Sequence, residues 1–215
     1  WVYKGTHVMP WCIRCGTALS QHELSDGGYK DLVHKTVYVA FPVKGKKNEY
    51  FLVWTTTPWT LSSNTALAVN PRLDYVKAKK ENKIYYLSKK VAETLSGFSV
   101  LEVLKGKDLV GINYESIYPE FEAQKNANCV IISWDEVGEE EGTGVVHIAP
   151  GCGEADHELG SKFKLRSIAP LDEFGFYIKG FGFLTGKNVN KINPEIFLNL
   201  EEKGFLFKTD TITHR

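Results

Sequence analysis

The stretch VWTTTPWTLSSNTALAVNP, residues 53–71, gathers three consecutive threonines, a Pro-Trp-Thr and a Ser-Ser-Asn behind a strand-like run. Pro58 offers no N–H to a sheet and biases Thr57 toward extended geometry. The strand should therefore end about there, and the chain should curl into a turn or short helical start. The hydroxyls of Thr55, Thr56, Thr57 and Thr60 then crowd one strand end. Each hydroxyl both donates and accepts, so the rim suits a polar, uncharged ligand group or an ordered water. Threonines are also common in strands and at caps for purely structural reasons, and this stretch alone leaves both readings open.

Working outward, TVYVAF (36–41) and YFLVWT (50–55) are rich in β-branched and aromatic residues and read as strands, with GKKN (45–48) as their hairpin connection. DYVKAK (74–79) alternates, and ENK (81–83) turns it into a further strand at 84–87. Helices are few. Ser88 is placed to cap residues 89–95. A second helix is expected over 154–163. A third covers 193–203, with Asn193 as N-cap, Pro194 at the first helical position, Gly204 past the end, and Ile196, Phe197 and Leu200 on the buried face. The first 30 residues are turn-rich, with Pro10, Gly16 and the Asp-Gly-Gly at 26–28. Short strands with few helices predict a mixed α/β, barrel-like domain with peripheral helices, not a doubly wound sheet.

The 215 residues are 43% hydrophobic and 24% charged, an ordinary globular composition, and the formal net charge is +0. No global field draws such a chain onto nucleic acid or membrane, so any RNA contact rests on local patches. There is no apolar run of about 18 residues and no signal-peptide layout. The chain lacks an initiator Met and reads as a piece of a longer one. A cytoplasmic setting with reduced thiols is the expectation for Cys12, Cys15, Cys129 and Cys152.

Two further stretches carry candidate chemistry. In EEEGTGVVHIAPGCGEADHELG (139–160), a buried strand over 145–149, a turn over 150–153 and a helix from Glu154 put His147 in a strand and Asp156 in the first helical turn. Asp156 there either stabilises its own helix through the dipole or holds a ligand ammonium. His147 is either a satisfied core residue or a pocket residue. The glycines match neither G-x-G-x-x-G nor a phosphate loop. WCIRCG (11–16) holds half a zinc site. His7 and His22 are conceivable partners, while Cys129 and Cys152 are isolated.

Together these stretches resemble the editing domain of isoleucyl-tRNA synthetases. The threonine-rich segment is similar to that domain's first signature, and EGTGVVHIAPGCGEAD to its second, G-T-G-x-V-H-x-A-P followed by an acidic residue. MPWCIRCGTALSQHE resembles the lead-in from the catalytic body, and FLFKTDTITHR the return to it. Pro58-Trp59 after Thr57 points to the isoleucyl branch, since valyl and leucyl relatives carry T-T-R-P-E-T or T-x-R-P-x-T. The resemblance implies one editing domain over 1–215: a base where the chain enters (1–30), a barrel core (31–205) and an exit segment (206–215). It implies that Asp156 holds the α-ammonium of a misattached amino acid and that His147 lines the side-chain pocket and helps exclude isoleucine. Thr55, Thr56, Thr57, Thr60 and Asn64 would border the ester and the terminal adenosine, with Thr143 and Gly144 as further substrate contacts and Trp59 as a wall.

The implied activity is deacylation of Val-tRNA(Ile), and of valyl-adenylate as a second substrate. A hydrophobic pocket rejects the smaller valine by only about 1–3 kcal/mol, a magnitude for which isoleucyl-tRNA synthetase is itself the standard example; a second pocket too small for isoleucine sorts by exclusion. Neither H-I-G-H nor K-M-S-K-S is present, so ATP and Mg, which the resemblance assigns to the full-length enzyme, are not expected here. Cys12 and Cys15 are an orphan half-site with no zinc expected. The implied partners are the 3′ end of tRNA(Ile) carrying valine and the rest of the synthetase in cis; the chain is expected to be a monomer off the membrane. Asp156→Ala is expected to abolish deacylation with little effect on folding. The alternatives are a zinc-ribbon-like RNA-binding module without catalysis, a free-standing hydrolase and a polar-ligand barrel.

Overall fold

The computed structural model describes Val2, Lys4, Gly5 and residues 8–25 and 31–214. The expected turn at 26–28 and His7 lie outside the described residues. Alternation of side chains writes the main sheet. In β3 (Leu32–Pro42), Val37, Val39 and Phe41 face one core, while Tyr38 and Ala40 face another; in β4 (Glu49–Thr55), Phe51 and Val53 divide from Tyr50 and Leu52 in the same way. The two strands pair antiparallel across the GKKN turn. That turn uses Gly45 and Asn48 at positive φ, a conformation both residues tolerate.

Before β3 come a two-residue hairpin, β1 (Trp11–Cys12) and β2 (Thr17–Ala18), and α1 (Gln21–Ser25). After β4 come a 3₁₀ turn (Pro58–Ser63), β5 (Ala66–Val69), the hairpin β6 (Asp74–Lys80) and β7 (Lys83–Ser88), α2 (Lys89–Thr94) and β8 (Ser99–Lys105). Then follow α3 (Gly106–Leu109), β9 (Val130–Ser133), β10 (Val145–Ile148), α4 (Glu154–Phe163), α5 (Asn193–Glu202) and β11 (Leu206–His214). Six strands form one sheet in the order β11-β3-β4-β7-β6-β8, and three form another in the order β10-β5-β9. β10 lies against β4, so the sheets share a core. The outer face of the large sheet is covered by Val91 and Ala92 of α2, and the outer face of the small one by Leu159 of α4. The mixed α/β body with few peripheral helices is the expected one. Its barrel-like part is two packed sheets, with no closed ring of strands among the described residues. The segment read as an exit is an edge strand, paired along β3 from Leu206 to His214.

One local expectation differs. α5 begins at Asn193, and Ile192, not Asn193, occupies the N-cap. Ile192 is anchored in the core, and its carbonyl accepts from the amides of both Glu195 and Ile196. Asn193 is thereby drawn into the helix, its Oδ1 buried without a partner. The segment 97–128 holds β8 and α3 and sends Tyr114, Ile117, Tyr118 and Phe121 into the core.

Candidate active site

Pairing of β5 with β10 brings the two signature stretches together. The register sets His147 beside Leu67 and Ile148 beside Ala66, two residues after Asn64. Upstream, β4 stops at Thr55. Pro58 then opens the 3₁₀ turn, where its missing N–H costs nothing. The turn is braced from distant segments: Tyr177 donates to Trp59 O at 2.8 Å, and Gln124 donates to Ser62 O at 2.7 Å. Downstream, β10 runs through the Pro150 turn into α4, which carries Asp156 in its first turn, as expected for a carboxylate near a helix N-terminus.

These elements enclose a cleft of about 340 Å³ lined by Trp54, Thr55, Thr56, Thr57, Trp59, Thr60, Val146, His147, Ala149, Cys152, Gly153 and Asp156. On one wall the threonines hydrogen-bond among themselves. The Thr57 amide donates to Thr55 Oγ1 at 3.1 Å, and Thr60 Oγ1 donates to Thr57 O at 2.8 Å. Among the described residues Thr56 Oγ1 has no hydrogen-bond partner, so its hydroxyl is left for a ligand or water. On the opposite wall Asp156 Oδ1 accepts the Ala149 amide at 2.6 Å. Oδ2 lies over Gly153, where a Cβ would sit 2.7 Å from it; any larger residue at 153 would displace the oxygen. Burial raises the Asp156 carboxyl above its ordinary value, against the lowering pull of the Ala149 amide. A partly desolvated carboxylate with one tethered oxygen gains most from a cationic partner.

His147 is 9% exposed and forms the end of the cleft. Its Nε2 is 2.8 Å from Thr60 Oγ1 and its Nδ1 3.0 Å from Asn64 Nδ2. Burial pushes its pKa down to about 4, so the imidazole is neutral at pH 7. With both nitrogens engaged it has no free lone pair with which to take a proton from water. By geometry it is a wall residue of the cleft.

Asp156, His147, Thr55, Thr56, Thr57, Trp59 and Thr60 thus line one cleft. Asn64, 3% exposed, stands behind His147 and touches the site only through it. Thr143 and Gly144 do not line the cleft: Thr143 O accepts the Ser88 amide and Gly144 O accepts the Tyr75 hydroxyl, so they fasten the start of β10 to β7 and β6. Trp54, Val146, Ala149, Cys152 and Gly153 line the cleft unforeseen. Trp54 and Val146 each adjoin a recognised strand residue, but alternation assigns such neighbours to the opposite face, so no signal in the sequence pointed to them; Cys152 has none either. Burial pushes the Cys152 thiol up to about 12. A second cleft of about 550 Å³ shares Thr56, Thr57, Trp59 and Cys152 with the first and opens toward Met9, Trp11 and Asn190.

The β1–β2 hairpin carries Cys12 and Cys15, and the backbone N–H of Cys15 holds the Cys12 thiol below its ordinary value. Two thiols make half a tetrahedral set, and among the described residues no group of three His, Cys, Asp or Glu could hold a metal. No described helix is long and apolar enough to cross a membrane.

Comparison with solved structures defines the class by fold. The GlLeuRS-CP1 crystal structure superposes with a TM-score of 0.65 at 12% identity, covering 81% of this chain and 98% of that one. The editing domain of the P. knowlesi cytosolic leucyl-tRNA synthetase gives 0.57 at 11% identity, covering 84% and 97%. The fold is therefore that of synthetase editing domains. In sequence, the chain is 40% identical over 215 residues to the isoleucine–tRNA ligase of Clostridium tetani, spanning 99% of this chain and 21% of that protein. The isoleucine–tRNA ligases of Clostridium novyi (42%, spanning 99% and 20%) and Pyrococcus horikoshii (41% over 228 residues, spanning 99% and 21%) match similarly. No family model matches. The chain spans about a fifth of the length of these relatives and is homologous, along nearly all of itself, to one segment of isoleucine–tRNA ligases.

Proposed function

We propose that this chain is the hydrolytic editing unit of an isoleucine–tRNA ligase, one domain over 1–215 that deacylates Val-tRNA(Ile) and spares Ile-tRNA(Ile). The observation that carries the reading is the half-buried Asp156 carboxylate, one oxygen tethered to the Ala149 amide and the other over Gly153, in a cleft it shares with threonine hydroxyls and a neutral histidine. An aminoacyl ester offers the matching groups: an ammonium for Asp156, a small apolar side chain for the Trp59–His147 end, and a carbonyl beside the hydroxyls of Thr55, Thr56 and Thr57.

In this reading a water oxygen attacks the acyl carbon and the ester C–O bond breaks. The ribose oxygen departs with a proton, leaving free valine and tRNA. Anchoring by Asp156 and alignment by the threonines supply the positioning on which such a reaction depends. No side chain of the cleft serves as general base: His147 is saturated, and Asp156 is committed to the ammonium. The proton passes through water and the neighbouring ribose hydroxyl. Valyl-adenylate presents the same ammonium and side chain and is a second substrate. The reading assigns no metal or cofactor to this chain; ATP and Mg belong to the activation chemistry of the longer enzyme. The partners are the tRNA(Ile) 3′ end and the remainder of the synthetase in cis, in a monomer in the cytoplasm. Among the described residues the zinc-ribbon alternative has only the Cys12–Cys15 pair to rest on.

Calorimetry with a non-hydrolysable adenosine bearing an amide-linked valine tests the assignment. Binding that is lost in Asp156→Asn and much weaker for the isoleucyl analogue is expected. Equal binding of both analogues would overturn it.

A further inference from the structure

Behind the cleft, four side chains from different parts of the chain form one directed line of hydrogen bonds. Asn64 is its pivot. Its two N–H bonds go to Ala66 O at 2.9 Å and to His147 Nδ1 at 3.0 Å, and its Oδ1 accepts the Tyr114 hydroxyl. Ala66 O can only accept, so it identifies the nitrogen end of the amide, and the Tyr114 hydroxyl holds the oxygen end in place. Tyr114 is 2% exposed and reaches Asn64 from 50 residues away; its hydroxyl also meets the Cys129 thiol. With an Asn64 N–H aimed at it, His147 Nδ1 must accept. The ring proton then sits on Nε2 and is donated to Thr60 Oγ1. Thr60 in turn donates its own proton to Thr57 O.

We propose that Tyr114 is a positioning residue for the hydrolysis: acting through Asn64, it holds His147 in the Nε2–H tautomer and so makes Thr60 an acceptor at the cleft wall. This rests on the deacylation reading above. In the opposite tautomer Nε2 is a bare acceptor, Thr60 turns its hydroxyl onto it, and Thr57 O is released. His147 Nε2 and the Thr60 hydroxyl then exchange donor and acceptor roles, and the Thr57 carbonyl loses its donor. With the line as found, the remaining lone pair of Thr60 meets the Thr57 hydroxyl only at 3.4 Å, a long contact that an incoming N–H or O–H displaces; an ammonium or an attacking water supplies one and an ester carbonyl does not. Tyr114 itself does not line the cleft.

The test is long-range ¹H–¹⁵N correlation of ¹⁵N-histidine in the protein that contains this chain. The His147 resonances are assigned by their loss in His147→Gln, and deacylation of Val-tRNA(Ile) is measured beside them. The wild type should show a protonated Nε2 and a bare Nδ1. Tyr114→Phe should give a mixture of tautomers, with kcat lower by about tenfold, roughly what the loss of one hydrogen bond is worth, and KM little changed. A protonated Nδ1 in the wild type overturns the proposal. So does an unchanged tautomer in Tyr114→Phe, whatever its activity, and so does a changed tautomer with unchanged kcat. Fluorotyrosine at position 114 keeps the shape and strengthens the donor, which covers the case of a phenylalanine variant that does not fold. It should move both His147 resonances, and stationary resonances refute the connection. Wild-type protein that fails to deacylate Val-tRNA(Ile) would sink the deacylation reading instead, and the tautomer would still report on the relay.

Discussion

Asp156→Asn separates the two jobs of one carboxylate. Asparagine keeps an oxygen for the Ala149 amide, now 2.6 Å from Asp156 Oδ1, and replaces the cleft-facing oxygen by an NH₂ group. A donor then faces the substrate ammonium where an anion had been. A hydrogen bond to a charged group is worth about 1.5–3 kcal/mol, so kcat/KM should fall roughly 10- to 150-fold. Stability should hold or rise, because a carboxylate that burial disfavours has been removed. Asp156→Ala differs: it strands the buried Ala149 N–H as well, at about 1–3 kcal/mol of stability. The structure thus revises the sequence-level expectation that the alanine variant leaves folding intact. Deacylation kinetics of Val-tRNA(Ile) beside urea denaturation of both variants resolves the two effects. An asparagine variant that keeps kcat/KM within about twofold would refute the anchoring argument.

Three further outcomes follow from the same geometry. His147 takes a proton near its ordinary 6.5 when unfolded and only at about 4 when folded, so its contribution is present above pH 6.5 and about 3 kcal/mol is lost as pH falls to 4. Asp156, whose folded carboxyl is raised, works in the opposite sense at the acidic end of that window. The difference in unfolding free energy between wild type and His147→Gln, followed from pH 7 to 4, isolates the histidine; a flat difference contradicts it. Gly144→Ala would place a Cβ 2.5 Å from that of Ser88 at a φ of +74°, and a loss of about 1–3 kcal/mol in chemical denaturation is expected. In timed alkylation at pH 8 read by mass spectrometry, Cys12, whose thiol is lowered, should react early, and Cys152, raised to about 12, last.

Much of this was legible in the sequence because it was local. Pro58 predicts the end of β4, Ser88 the start of α2, and the glycine-rich turn after Pro150 the helix that carries Asp156. Side-chain alternation marks the faces of β3 and β4. What was not legible depends on pairing between distant segments. β5 and β9 are four residues each, the first wholly and the second half buried, and lie parallel to one another, so neither alternation nor a hairpin turn announces them. Asn64 read as a polar residue near a ligand, yet pairing of β5 with β10 puts it behind His147, where its amide is consumed. Thr143 and Gly144 sit in a signature stretch, but their conformation and carbonyls serve the attachment of β10. Tyr114 lies in a segment with no periodic signal and matters only through a side chain 50 positions away.

The central claim is that this cleft hydrolyses the valyl ester and excludes the isoleucyl one. The direct measurement is single-turnover deacylation of Val-tRNA(Ile) and Ile-tRNA(Ile), at equal concentrations, by the protein that contains this chain, with Asp156→Asn alongside. Fast loss of valine, isoleucine spared, and a valyl rate roughly 10- to 150-fold lower in the variant is the predicted result. Hydrolysis of the two esters at the same rate, or a valyl rate indifferent to Asp156, would contradict it.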